Sequence, residues 1–137
     1  MEPAKLNEQR IVVMIIDDDR SVNQLLYILL KSRGYKPITA SDGEEALDLL
    51  QNNDCPLPDI IVTDYAMPRM DGCQFTENIS TMESLQNIPV VIMTGSEVDE
   101  DSMPKTKNYK EFIRKPFDIN LLLDIIKRLT SPLLFAV

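Results

Sequence analysis

The chain has 137 residues, 44% of them hydrophobic and 26% charged, which suits a single domain with a real core. Its net charge of -8 disfavours non-specific attraction to nucleic acid or anionic lipid, and its apolar runs fall far short of the ~20 residues of a membrane span. It holds no histidine, which excludes a Ser-His-Asp triad, a His-ligated zinc and a phosphohistidine on this chain.

Residues 1–10 are polar, without a signal-peptide core, and read as a flexible leader to a cytoplasmic domain. Ile11 to Ile16 is an uninterrupted apolar run, the mark of a parallel strand covered on both faces. It ends in Asp17-Asp18-Asp19. Asp19 or Ser21 is placed to cap a helix, but one capping acid is enough, and adjacent carboxylates repel unless something screens them. Val22, Leu25, Leu26 and Leu29 then give an amphipathic helix ending at Gly34. Pro37-Ile38-Thr39-Ala40 reads as a short edge strand, because Pro37 has no N–H to donate. Ser41 and Glu44 suggest a capping box for a second helix, which buries Ala46, Leu47, Leu49 and Leu50.

After a loop over residues 52–58 comes the run Ile60-Ile61-Val62-Thr63, closed by Asp64. A short apolar, β-branched run bounded by turn residues is a buried strand. A third helix is expected from Gly72 to about Met82, with Phe75, Ile79 and Met82 on one face. Ile88 to Met93 is another buried strand, followed by Thr94-Gly95-Ser96. Residues 97–110 show no apolar stripe, so any helix there is short or poorly docked. Glu111 to Arg114 is a last strand, followed by Lys115-Pro116-Phe117. Asp118 caps a final helix with Leu121, Leu122, Ile125, Ile126 and Leu129 as its apolar positions. Cys55 and Cys73 have no metal spacing and read as free thiols. The apolar tail, 131–137, either packs back on the domain or buries itself in a partner, a possible homodimer.

Strand and helix alternate about five times with short connections, which argues for an α/β fold with a doubly wound parallel sheet. The residues after each strand then gather on one edge of that sheet, where open α/β folds bind ligands. Asp17, Asp18, Asp64, Thr94 and Lys115 all fall there. Taken singly, each has a plainer role: turn acid, cap or surface lysine. Together they form a set with a purpose. Clustered carboxylates offer oxygen ligands to Mg²⁺, a lysine adds a positive charge, a hydroxyl donates, and Asp64 is free to act as a nucleophile toward phosphorus.

The pieces Ile15-Ile16-Asp17-Asp18-Asp19, Val62-Thr63-Asp64 through Met70-Asp71-Gly72, Val91-Ile92-Met93-Thr94-Gly95 and Phe112-Ile113-Arg114-Lys115-Pro116-Phe117 occur in order. In these, residues 11–130 resemble the receiver domain of a two-component response regulator, of the stand-alone chemotaxis type. The resemblance implies a (βα)5 flavodoxin-like sheet with strand order 2-1-3-4-5. It implies Asp64 as phosphoacceptor, with Mg²⁺ held by Asp18, Asp64 and the backbone carbonyl of Ala66, and by Asp17 through water. Lys115 would pair with the phosphoryl group, and Thr94 would move to bond it, coupled to the switch aromatic Phe112. The Lys115-Pro116 bond is usually cis in the family. A histidine kinase or phosphotransfer protein would be the donor, and the signal would leave through an unknown protein target, with no nucleic acid or membrane involved.

Two positions depart from the family. Residues 97–110 lack the apolar pattern of its fourth helix, and the small Ala66 stands where relatives often carry a larger or polar side chain. Two other readings compete. A phosphatase of the haloacid dehalogenase type needs an acid two residues after its nucleophile, where this chain has Ala66. A phosphorylation-independent binding module would leave the site residues without a role.

Overall fold

The apolar runs become the centre of a sheet. In the computed structural model, which describes residues 10–95 and 97–131, strands β1 (Val12–Ile16), β3 (Ile60–Asp64) and β4 (Val90–Thr94) are buried at every position. A strand covered on both faces needs apolar side chains on both, so these runs do not alternate. The strands β2 (Lys36–Ala40) and β5 (Tyr109–Arg114) form the edges and are only partly buried. All pairings are parallel, in the order β2-β1-β3-β4-β5, which is the expected topology. The leader 1–10 and the tail 131–137 lie outside the described residues, apart from Arg10 and Ser131.

Helices α2 (Gly43–Leu50) and α3 (Gly72–Ile79) cover one face. There Ala46, Leu50, Phe75 and Ile79 pack with Met14, Ile16, Ile61, Val90 and Ile92. Helices α1 (Arg20–Ser32) and α4 (Ile119–Leu129) cover the other, where Leu26, Leu30, Leu122, Ile125 and Ile126 meet Val13, Ile15, Ile60, Val62, Val91 and Met93.

Several local details differ from the sequence reading. The buried stripe of α1 is Asn23, Leu26 and Leu30, and Leu25 is 58% exposed. Asn23 can face inward because its amide donates to the Asp17 carbonyl at 2.8 Å and the Ala40 carbonyl at 3.1 Å. On α4, Leu121 is likewise turned to solvent. The cap of α2 is Asp42, not Ser41: its carboxylate accepts from Glu45 N, and Glu45 in turn accepts from Ser41 N. The acid at the third helical position is therefore Glu45 rather than Glu44. Helix α3 stops at Ile79, with Ser80 as its cap, instead of reaching Met82.

Between β4 and β5 the only helical turn among the described residues is a 3₁₀ turn, Glu100–Ser102. The segment is nonetheless docked. Met103 is 3% exposed and joins the core cluster of α2 and α3, and the Arg114 guanidinium donates to the Val98 carbonyl. One inserted methionine and one arginine anchor replace the apolar stripe that a helix would need.

Candidate functional site at the carboxyl edge of the sheet

Asp17 directly follows β1 and is 1% exposed. Its backbone N–H donates to the Ala40 carbonyl, holding it in line with the strand. One carboxylate oxygen accepts from Asp19 N at 2.9 Å and the other from Lys115 Nζ at 2.8 Å. Asp18 is exposed beside it, and Asp19 is spent as the cap of α1, accepting from Ser21 N. The three adjacent acids thus have three different tasks.

Asp64 ends β3 and is 8% exposed. Its Oδ1 accepts from Tyr65 N at 3.0 Å and lies 3.2 Å from Lys115 Nζ. Both contacts fall on Oδ1, so Oδ2 carries neither. Lys115 comes to this place because its own N–H donates to the Thr94 carbonyl at 2.7 Å, continuing the β4–β5 ladder past the last residue of the strand. The Lys115-Pro116 bond is cis, as the resemblance implied.

Electrostatics at the cluster oppose one another. Burial raises the pKa of Asp64, and the neighbouring charge of Asp17 adds to this, while Lys115 offsets part of it. Burial alone would lower Lys115, but its bonds and charges from Asp17 and then Asp64 outweigh this, and its pKa is raised. One ammonium therefore serves two carboxylates and leaves them under-neutralised.

Asp17, Asp18 and Asp64 each place a carboxylate oxygen within 4.8 Å of the others. An all-oxygen donor set carrying excess negative charge suits a hard divalent cation such as Mg²⁺. These three residues fit such an ion.

Thr94 ends β4 and is fully buried. Phe112, half-buried on β5, stands opposite Ile92, and Arg114 stands opposite Thr94. Thr94 and Phe112 are thus diagonal neighbours on one face of the sheet, where long side chains reach each other. The Arg114 guanidinium lies 5.3 Å from the centre of the Phe112 ring.

Ala66 is exposed at the start of the β3–α3 loop. That loop closes tightly on β3: Gly72 N donates to the Tyr65 carbonyl, and a Cβ on Gly72 would sit 2.3 Å from the Asp64 carbonyl oxygen. Only glycine fits so close an approach.

Three residues near the site were not singled out from sequence: Asn23, Arg69 and Arg114. Asn23 left a signal, since it stands at a stripe position three residues before Leu26. Arg69 and Arg114 left none, because their partners are remote in the chain.

A family model described as the response regulator receiver domain matches residues 13–127. The chain is 33% identical over 124 residues to the response regulator MprA of Mycobacterium sp. (strain KMS), covering 88% of this chain and 52% of that protein. It is 30% identical over 118 residues to the sensor histidine kinase CheAY of Helicobacter pylori, covering 85% of this chain and 15% of that one. The chain therefore spans about half or less of the length of these relatives. Among solved structures, the chemotaxis response regulator CheY4 of Vibrio cholerae aligns with a TM-score of 0.75 at 26% identity, covering 88% of this chain and 98% of that one. A parallel five-stranded sheet with an acid cluster and a lysine on its carboxyl edge defines a signalling domain of the receiver type. The chain belongs to the response regulator receiver domain family.

Proposed function

We propose that this chain is a phosphorylation-dependent switch, in which Asp64 accepts a phosphoryl group from a phosphohistidine on a kinase or phosphotransfer protein. The observation that carries this is the placement of Lys115 Nζ, 2.8 Å from Asp17 and 3.2 Å from Asp64, beside the exposed Asp18. Asp64 Oδ2, outside both contacts of Oδ1, is the oxygen available to attack. The N–P bond of the donor breaks as the O–P bond to Asp64 forms, and the imidazole leaves with the bonding electron pair. Lys115 then neutralises charge on the phosphoryl oxygens, and Asp17 holds the lysine in place. Asp18, Asp64 and the Ala66 carbonyl would hold Mg²⁺ directly and Asp17 through water; when bound, the ion offsets the carboxylate charge and accepts phosphoryl oxygens.

The domain catalyses its own phosphorylation and dephosphorylation and has no other substrate. Thr94 and Phe112 report the phosphoryl group to the β4–β5 face, and the signal leaves by protein–protein contact. Their diagonal placement on adjacent strands supports this coupling. The receiver unit is residues 11–130, a span that contains the matched residues 13–127.

The test is intact mass after incubation with acetyl phosphate and Mg²⁺. The wild type is expected to gain one phosphoryl group that hydroxylamine removes, and Asp64→Asn none. An adduct that persists in the mutant, or none in the wild type without turnover of acetyl phosphate, rejects the reading.

A further inference from the structure

The β3–α3 loop contains one unusual residue. Arg69 has φ 69°, the only positive φ outside glycine among the described residues. Met70 N donates to the Pro68 carbonyl at 2.7 Å, across Arg69. A positive φ with a bond between residues two apart is the classic γ-turn, a rare and strained geometry for an L-residue. Glycine would adopt it without that strain, so the arginine side chain needs a reason to be there.

The reason is across the site edge. Arg69 Nη2 donates to Asp42 Oδ2 at 2.8 Å. Asp42 is the cap of α2, and its other oxygen, Oδ1, accepts from Glu45 N at 2.8 Å. One carboxylate thus ties the first turn of α2 to the loop that follows the phosphoacceptor. The neighbouring residue reinforces the contact: a Cβ on Gly43 would lie 2.8 Å from Met70 Sδ, so the Met70 side chain seats against the helix start where there is none. At its other end the loop is closed by Gly72 against the Asp64 carbonyl. Ala66 lies between Tyr65, whose carbonyl accepts from Gly72 N, and the braced Arg69.

We propose that Arg69 is a positioning residue for the divalent cation, bracing the loop that presents the Ala66 carbonyl against the Asp42 cap of α2. This rests on the cation site proposed above. The Arg69 side chain is 60% exposed and that of Asp42 21%, so the pair adds little to global stability. Its effect falls on where the loop stands. A metal ligand supplied by a loop carbonyl is only as well placed as the loop, and supporting contacts govern affinity without touching the ion.

The test is calorimetric titration of the full chain with Mg²⁺, alongside thermal unfolding of each variant. Arg69→Ala and Asp42→Asn should weaken Mg²⁺ affinity about threefold to fivefold, the scale of an exposed ion pair. Asparagine keeps the cap of α2, so Asp42→Asn separates the brace from the helix. Arg69→Lys, which retains a single charged donor, should recover most of the affinity. Arg69→Gly relieves the backbone strain, so it should hold or raise the melting temperature and still lose affinity. Melting temperature and Mg²⁺ affinity therefore move apart, which a purely structural role would not produce. Wild-type binding with all variants within about 1.5-fold of it overturns the inference alone. No Mg²⁺ binding by the wild type overturns the cation reading and the inference together.

Discussion

Lys115 Nζ and Asp17 Oδ2 lie 2.8 Å apart although 98 positions separate them in the chain. The contact joins the ends of β1 and β5, two strands that are not neighbours in the sheet. The lysine spans the edge of β3 and β4 to reach it, and Asp64 lies beneath that span.

Lys115→Met should therefore do more than slow phosphorylation. It leaves Asp17, 1% exposed, as an unpaired buried charge. Breaking a buried pair costs about 3–5 kcal/mol; because the lysine side chain keeps 27% of its exposure, a loss of about 2–3 kcal/mol is expected. Mg²⁺ should restore more stability to this variant than to the wild type, since the ion replaces the missing charge. Urea unfolding with and without Mg²⁺ measures both, and an equal Mg²⁺ response in the two proteins would contradict the shared-charge account.

Asp64→Asn should raise the melting temperature by a few degrees when divalent cations are absent. The carboxylate is unfavourable where it stands, first through burial and then through the charge of Asp17. Removing its charge relieves both, and Lys115 keeps its bond to Asp17. The same substitution should abolish most of the stabilisation that Mg²⁺ gives the wild type. Thermal scans in chelator and in Mg²⁺ check this; a lower melting temperature in chelator would show that the Lys115 pairing outweighs burial.

Cys73 offers a pH-dependent reading of the α3 terminus. Burial, followed by the charges of Asp71 and Glu77, pushes its thiol up to about 11 from a usual 9.0. Since the folded pKa is raised, the stability this thiol contributes is fully present below pH 9 and is lost as pH rises through about 11. Alkylation by iodoacetamide proceeds through the thiolate. In a Cys55→Ser background, the folded protein should react at least ~tenfold more slowly at pH 8 than the same chain in urea. Equal rates would mean that Cys73 is not held as the neutral thiol.

Much of this was legible in the residues alone. The unbroken apolar runs from Val12 to Ile16 and from Val90 to Met93 announce strands covered on both faces, because a helix layer packs against each face. Parallel strands place their carboxyl ends on one edge, so Asp17, Asp64, Thr94 and Lys115 were bound to gather once the order β2-β1-β3-β4-β5 formed. What the tertiary structure alone decided lies in details with no local signal. Helix periodicity marks an apolar stripe but not its rotation, so it misplaced Leu25 and Leu121, which face solvent, and passed over Asn23, which packing admits through two bonds to backbone carbonyls. Capping rules named a box at Ser41 and Glu44, and the chain instead caps the helix with Asp42, while the Glu45 carboxylate accepts from Ser41 N. The absence of a stripe in 97–110 showed that no ordinary helix docks there, but not that Met103 would fill the gap. The γ-turn at Arg69 and its reach to Asp42 left no trace in sequence. Periodicity and spacing record which face of an element is buried. Which remote side chains meet is set only when the layers pack and fix register, rotation and distance.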